Sequence, residues 1–155
     1  MPTLIRYRFS QYFNVSAQEA FGWCTDFSPQ DLRLMNLEED AVREITKISE
    51  STTIIKDAIQ TSVSAIVKEK LVQLYPDRLM WVSTQLSGPN RYSQFFYQIN
   101  VESKDSSHLD FTGLHIEYKD HMSPKEIKEL SERLCSFDMK IWRLLATAMH
   151  KDLTF

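Results

Sequence analysis

The chain predicts an α+β fold: a curved antiparallel sheet of seven strands around one long carboxy-terminal helix, with two short helices after the first strand. Three observations carry this. The amino-terminal segment alternates in hydrophobicity with period two. A long middle region consists of β-branched alternating runs separated by turn residues, and Ser123–Asp152 switches to the 3.6-residue period. A sheet that bends around a single helix leaves a space between them, and such a space suits an apolar small molecule.

The first strand spans Thr3 to Phe13. Ile5, Tyr7, Phe9 and Phe13 share one parity while Arg6, Arg8 and Ser10 share the other, so the odd side faces inward. Ser16 and Glu19 then form a Ser-x-x-Glu capping box, which starts a helix over Ala17–Thr25 with Ala20, Phe21 and Cys24 on its buried stripe. Ser28-Pro29 repeats the signal, with a cap hydroxyl and a first-turn proline, and predicts a second short helix through Leu32, Leu34 and Met35.

Six β-rich segments follow: Val42–Ser49, Thr52–Ile59, Val63–Tyr75, Arg78–Leu86, Arg91–Ser103 and Ser107–Tyr118. The breaks between them are short enough for hairpins, so they form one antiparallel meander, joined by the first strand and long enough to curl. Gly113 lies inside the last strand, where a missing side chain marks a bulge, a bend or a close approach, a bend being the simplest reading.

Ser123-Pro124-Lys125-Glu126 combines a cap hydroxyl, a first-position proline and a capping-box glutamate. In the helix it opens, Ile127, Leu130, Leu134, Phe137, Ile141, Trp142, Leu144, Leu145, Ala148 and Met149 share one arc of roughly 160°, wider than a coiled-coil seam.

Composition narrows the function classes. The 155 residues, 43% hydrophobic and 25% charged, fit a single domain, 1–155, with a core that needs neither disulfides nor metals. A net charge of −3 with basic residues dispersed among acids argues against a nucleic-acid surface. No signal peptide or membrane-spanning segment is visible, which predicts a cytoplasmic protein. Cys24 and Cys135 lack any Cys-x-x-Cys pattern and read as reduced thiols. No phosphate loop, nucleophile elbow or metal-ligand spacing occurs, so no cofactor or metal is expected; His108 and His115, seven apart, fall on opposite faces of a strand. The oligomeric state, monomer or homodimer, stays open.

The order of elements resembles the helix-grip fold of the START-like, polyketide cyclase-like (SRPBCC) superfamily across nearly the whole chain. Phe13-Asn14-Val15-Ser16-Ala17-Gln18-Glu19-Ala20-Phe21 is similar to the strand-to-helix entry of polyketide cyclase-like members, and Pro76-Asp77-Arg78-Leu79-Met80-Trp81 precedes a mid-sheet strand. The resemblance implies a ligand cavity between sheet and last helix. Its members bind lipids, sterols, hormones or quinones without chemistry, cyclise polyketides, or activate a chaperone.

Within that frame the eight residues expected to bind the ligand are Tyr7, Phe95, Tyr97, His115, Leu134, Asp138, Ile141 and Trp142. Asp138 is the unusual one, since it falls in the apolar arc between Leu134, Ile141 and Trp142, where an unpaired carboxylate costs several kcal/mol or becomes neutral. Two readings stand side by side: a cavity group that binds ligand or moves protons, or a structural residue, either the partner of an inward Arg, Lys or Tyr or a point where the arc bulges toward solvent at a sheet edge. Ser131, near the same stripe, either faces the cavity or bonds back to its own helix. Tyr7 and Tyr97 offer polar tips on aromatic bodies, and His115 a hydrogen bond or a base. The inner faces of the strands holding Trp81 and Tyr118 are not legible. The first functional reading is binding of an apolar or amphipathic small molecule (lipid, isoprenoid, quinone or polyketide) in the cavity. The alternatives are a polyketide cyclase, aromatase or dehydratase, and a chaperone-activator-like interaction module.

Overall fold

The computed structural model describes residues 1–29, 31, 41–60 and 63–154. Its seven-stranded sheet is antiparallel throughout, in the order β1-β7-β6-β5-β4-β3-β2, with β1 Thr3–Phe13, β2 Val42–Lys47, β3 Thr52–Gln60, β4 Ala65–Tyr75, β5 Met80–Gln85, β6 Gln94–Ser103 and β7 Ser106–Glu117. Helix α1, Ala17–Cys24, follows β1, and helix α2, Pro124–Leu153, ends the described chain. This is the helix-grip arrangement. The second short helix predicted through Leu32, Leu34 and Met35 lies outside the described residues.

Both helix starts form as their sequences dictate. The Ser16 hydroxyl accepts from the Glu19 amide at 3.2 Å, and the Ser123 hydroxyl accepts from the Glu126 amide at 3.1 Å. The glutamates differ from the capping-box expectation. Glu19 instead takes the Ser16 hydroxyl at 3.0 Å, and Glu126 takes the Lys119 ammonium at 3.1 Å.

β1 pairs with β7 from Thr3–Glu117 to Phe13–Ser107, which sets Ile5, Tyr7, Phe9 and Phe13 on the same face as Leu109, Phe111 and Gly113. That face is the core. Ile5, Phe13, Leu109, Ile99, Ile55 and Met149 are fully buried, and truncating any of them to alanine costs about 2–5 kcal/mol.

Helix α2 lies against β1 and buries Trp142, Leu145, Ala146 and Met149 from its carboxy-terminal half. Ile127, Leu130 and Leu134, nearer its start, are only half-buried. Two arc residues depart from the prediction: Phe137 is 62% and Leu144 38% exposed. The helical wheel places both toward the sheet, but burial depends on whether sheet lies beneath, and Phe137 sits over an opening. No helix among the described residues is long and apolar enough to cross a membrane.

Candidate functional site

A cavity of about 410 Å³ lies between the inner face of the sheet, α1 and α2. Its lining includes Tyr7, Phe95, Tyr97, His115, Leu134, Asp138, Ile141 and Trp142. Its volume is within the range of small-molecule sites. A second hollow, lined by Glu117, Lys119, Glu126 and Arg133 among others, is a charged surface cleft without an aromatic wall.

The middle of the cavity is aromatic. Trp81 and Tyr97 are cross-strand partners on β5 and β6, and their rings stack at 4.7 Å with 3° between planes. Trp142 reaches down from α2 to 5.9 Å from Tyr97, Phe111 meets Tyr97 edge-on at 5.2 Å, and Phe21 of α1 closes on Trp81 at 5.9 Å. Such rings present flat, polarisable surface to a ligand at little conformational cost. Trp81 belongs to the site although its own strand gave no clean parity, because Trp81 and Val82 are both buried. Its signal was the aromatic partner across the hairpin.

One end of the cavity holds Asp138. Its carboxylate accepts the Tyr7 hydroxyl at 2.5 Å, across 131 residues of sequence. Burial raises the Asp138 carboxyl above its ordinary range, and the Tyr7 hydrogen bond and nearby His115 pull it back. Burial and then the Asp138 charge raise Tyr7 in turn, so the phenol stays protonated and donates. Tyr97 is raised by the same two causes. Asp138 thus has the tyrosine partner that one of the two sequence readings required, while still facing the cavity.

Gly113 makes this contact possible. The register passes through it without a shift on either side, Tyr7 opposite on β1 and Phe95 opposite on β6, so no bulge falls there. Instead the Tyr7 ring lies over the glycine: a Cβ at position 113 would stand 2.4 Å from Tyr7 Cζ and 2.9 Å from its hydroxyl. The missing side chain is the space the phenol occupies.

His115, two residues on, is buried on the same face with Nε2 2.9 Å from Glu117 Oε2 and 3.3 Å from Asn90 Nδ2. His108 lies on the opposite face against Glu102 and Asp110, as its odd separation requires. Ser131 neither enters the cavity nor bonds back into its helix; it donates to the Arg6 carbonyl at 3.2 Å, tying α2 to β1. Among the described residues no group of three or more His, Cys, Asp or Glu side chains is placed to hold a metal ion.

The other end was not foreseen. There β2, β3 and β4 turn charged residues inward. Arg43 Nε and Nη2 hold Asp57 at 2.7 and 2.9 Å in a two-pronged ion pair, and Arg43 Nη1 reaches the Phe27 carbonyl at 3.4 Å. Lys70 and Lys68 line the same end with Asp31, Ser83 and Gln85. Burial, then the Arg43 charge, push Lys70 down to about 8, against the attraction of Asp57 and Asp31. Burial and then Asp26 push Asp31 up to about 6, against Arg43 and Lys70. Arg43, Asp57, Lys70 and Asp31 therefore sit partly removed from water, while Lys68 stays exposed.

No family model and no curated protein matches the chain. Solved structures do. The Zhui aromatase/cyclase of a Streptomyces species has a TM-score of 0.74 at 10% identity, over 96% of this chain and 95% of that one. Norcoclaurine synthase from Thalictrum flavum, in complex with dopamine and hydroxybenzaldehyde, has 0.69 at 13% identity, over 97% and 86%. A START superfamily protein from Mycobacterium smegmatis has 0.68 at 14% identity, over 95% and 98%. With its seven-stranded sheet and long closing helix, the chain has the START-like, polyketide cyclase-like helix-grip fold.

Proposed function

We propose that the chain, as a single unit of residues 1–155, binds an apolar or amphipathic small molecule in the cavity between sheet and α2. The observation that carries this is the cavity itself: about 410 Å³ with an aromatic middle and a small number of polar groups gathered at two ends. A ligand's body would replace water over Trp81, Tyr97 and Trp142, and its polar groups would take their orientation from the ends. A filled core would have favoured the protein-interaction reading.

Native mass spectrometry of the purified protein, followed by organic extraction, tests the proposal. The expected result is a stoichiometric adduct that Trp81→Ala weakens. A protein that carries no adduct and takes up none from a panel of lipids, quinones and polyaromatics would refute it.

The Tyr7–Asp138 contact favours a second reading, in which the bound molecule is also transformed by a cyclisation or dehydration. A carboxyl raised by burial beside a phenol can hand a proton to a ligand carbonyl and take one back, with the cavity supplying orientation. The aromatase/cyclase and the synthase among the similar folds keep company with this reading. Incubation with a poly-β-ketone analogue separates the two: the enzyme reading expects product that Asp138→Asn abolishes, and binding alone expects the analogue back unchanged.

A further inference from the structure

The two cavity ends differ in what they lack. At the Asp138 end the carboxylate has its donor. At the other end, three cations, Arg43, Lys68 and Lys70, face two carboxylates, Asp31 and Asp57. Arg43 and Asp57 satisfy each other, their side chains only 3% and 11% exposed.

Lys70 is different. It stands opposite Ile55 of β3 and Gln85 of β5, so its side chain rises from the inner face of the sheet onto the cavity wall. Among the described residues it has no carboxylate within ion-pairing distance and no hydrogen-bond acceptor. An ammonium so placed is destabilised by lost hydration without the counter-charge that normally offsets it. Burial expresses this by lowering its pKa to about 8, which still leaves it mostly protonated at neutral pH.

We propose, on the reading that the cavity holds a small molecule, that the ligand is an organic acid with a flat body. Its carboxylate, or a similar single oxyanion, docks on Lys70, and its body lies along Trp81 and Tyr97 toward Asp138. The acid supplies the missing counter-charge as a charge-assisted hydrogen bond. Gln85, directly across the strand pair from Lys70, and Ser83, the next inward residue on β5, place an amide and a hydroxyl beside the same oxyanion. Asp138 at the far end repels an anion and accepts a donor, so the ligand enters in one direction: acid toward β4, hydroxyl or other donor toward α2.

Two fluorescent probes with the same aromatic framework test this: 8-anilino-1-naphthalenesulfonate, which carries an anion, and N-phenyl-1-naphthylamine, which does not. Both are expected to bind wild-type protein at one competing site, the anionic probe about tenfold tighter at neutral pH, the effect of one charge-assisted contact. Lys70→Met removes that preference and leaves the neutral probe within about twofold, which also shows that the cavity has survived; Lys70→Arg retains most of it. If neither probe binds wild type, the small-molecule reading itself falls. If both bind and Lys70→Met leaves the preference intact, or if Lys70→Met loses both probes while its near-ultraviolet circular dichroism is native, the acid assignment falls and the cavity stands.

A measurement on wild type alone decides the same question should the variant not fold. The groups facing Lys70 are Arg43 on β2, Asp57 on β3, Lys68 on its own strand and Asp31 after α1; Asp31 titrates near 6, below the window used. A tenfold preference is one pH unit of linkage, so the preference should shrink between about pH 8 and 9 and then level. A preference that stays flat across this interval overturns the proposal.

Discussion

The two ends of the cavity place a charge on an inner face in contrasting ways. At the β1 end Asp138 is held by a single neutral donor, Tyr7, which Gly113 admits by having no side chain. At the β2–β4 end Arg43 and Asp57 neutralise each other through two hydrogen bonds, and Lys70 beside them is left with its charge. The first end is a polar contact set into an apolar wall, as the fully buried Ile5 and the buried Phe111 show. The second is an ionic patch at the margin of the core, where Lys68 and Ile66 are already exposed. A cavity built from one sheet thus presents an acceptor at one side and a cation at the other.

The contrast can be broken most sharply at Arg43. Arg43→Ala leaves Asp57 buried without its partner and should cost about 3–5 kcal/mol in chemical denaturation, whereas Arg43→Met with Asp57→Leu should be near neutral. Equal losses in both proteins would show that packing rather than charge is at stake. Next comes Gly113→Ala, whose methyl meets the Tyr7 ring at 2.4 Å and must displace it; about 2–3 kcal/mol is expected. Combining it with Tyr7→Ala should recover part of that loss, a non-additivity that a double-mutant cycle reads directly.

The pH dependence distinguishes the ends by sign. Lys70 is lowered to about 8 on folding, so the unfolded chain binds more protons between there and the ordinary lysine value. Lys70 alone therefore adds stability as pH climbs from about 8 to 10.5, while the raised Cys24, Tyr7 and Tyr97 subtract from it above about 9, so the quantity to measure is wild type minus Lys70→Met, expected to rise by up to about 3 kcal/mol.

Asp138 is raised on folding, so the folded chain holds its proton longer and stability falls as pH rises out of the ordinary aspartate range near 4 toward the raised value. Asp31, raised to about 6, adds to that slope, so the quantity to measure is wild type minus Asp138→Asn. Tyr7→Phe should steepen the fall by roughly 1 kcal/mol, because it removes the donor that stabilises the carboxylate. No change in slope would mean that solvent reaches Asp138 freely.

Much of this architecture could be read from spacing. Alternation placed Tyr7, Tyr97 and Phe95 on one face, and the helical wheel placed Asp138, Leu134, Ile141 and Trp142 over them, because one-sided burial imposes a period on each element. The β2–β4 end escaped for the same reason in reverse. Along β4 the inward parity reads Lys68, Lys70, Val72, Leu74, so a charged and an apolar pair share one face and no hydrophobic period announces it. Arg43 and Asp57 became partners only through the β2–β3 register, which places them opposite each other. Gly113 is similar, since its role depends on which residue of β1 lies across from it. Pairing between distant strands decides these sites, and a single strand's pattern does not contain it.

The pairing of β1 with β7 also has a kinetic side. Tyr7 meets Asp138 across 131 residues, and its strand docks on one that ends at Glu117 after the whole meander has been made. Closing so long a loop is entropically uphill until the contacts that reward it exist, which favours folding in milliseconds to seconds rather than microseconds. The meander from β2 to β7 is local and can assemble first, whereas the cavity wall formed by β1 and α2 arrives last. The binding site is then among the final parts of the molecule to exist, and a ligand that fits it stabilises the finished fold without aiding the search for it.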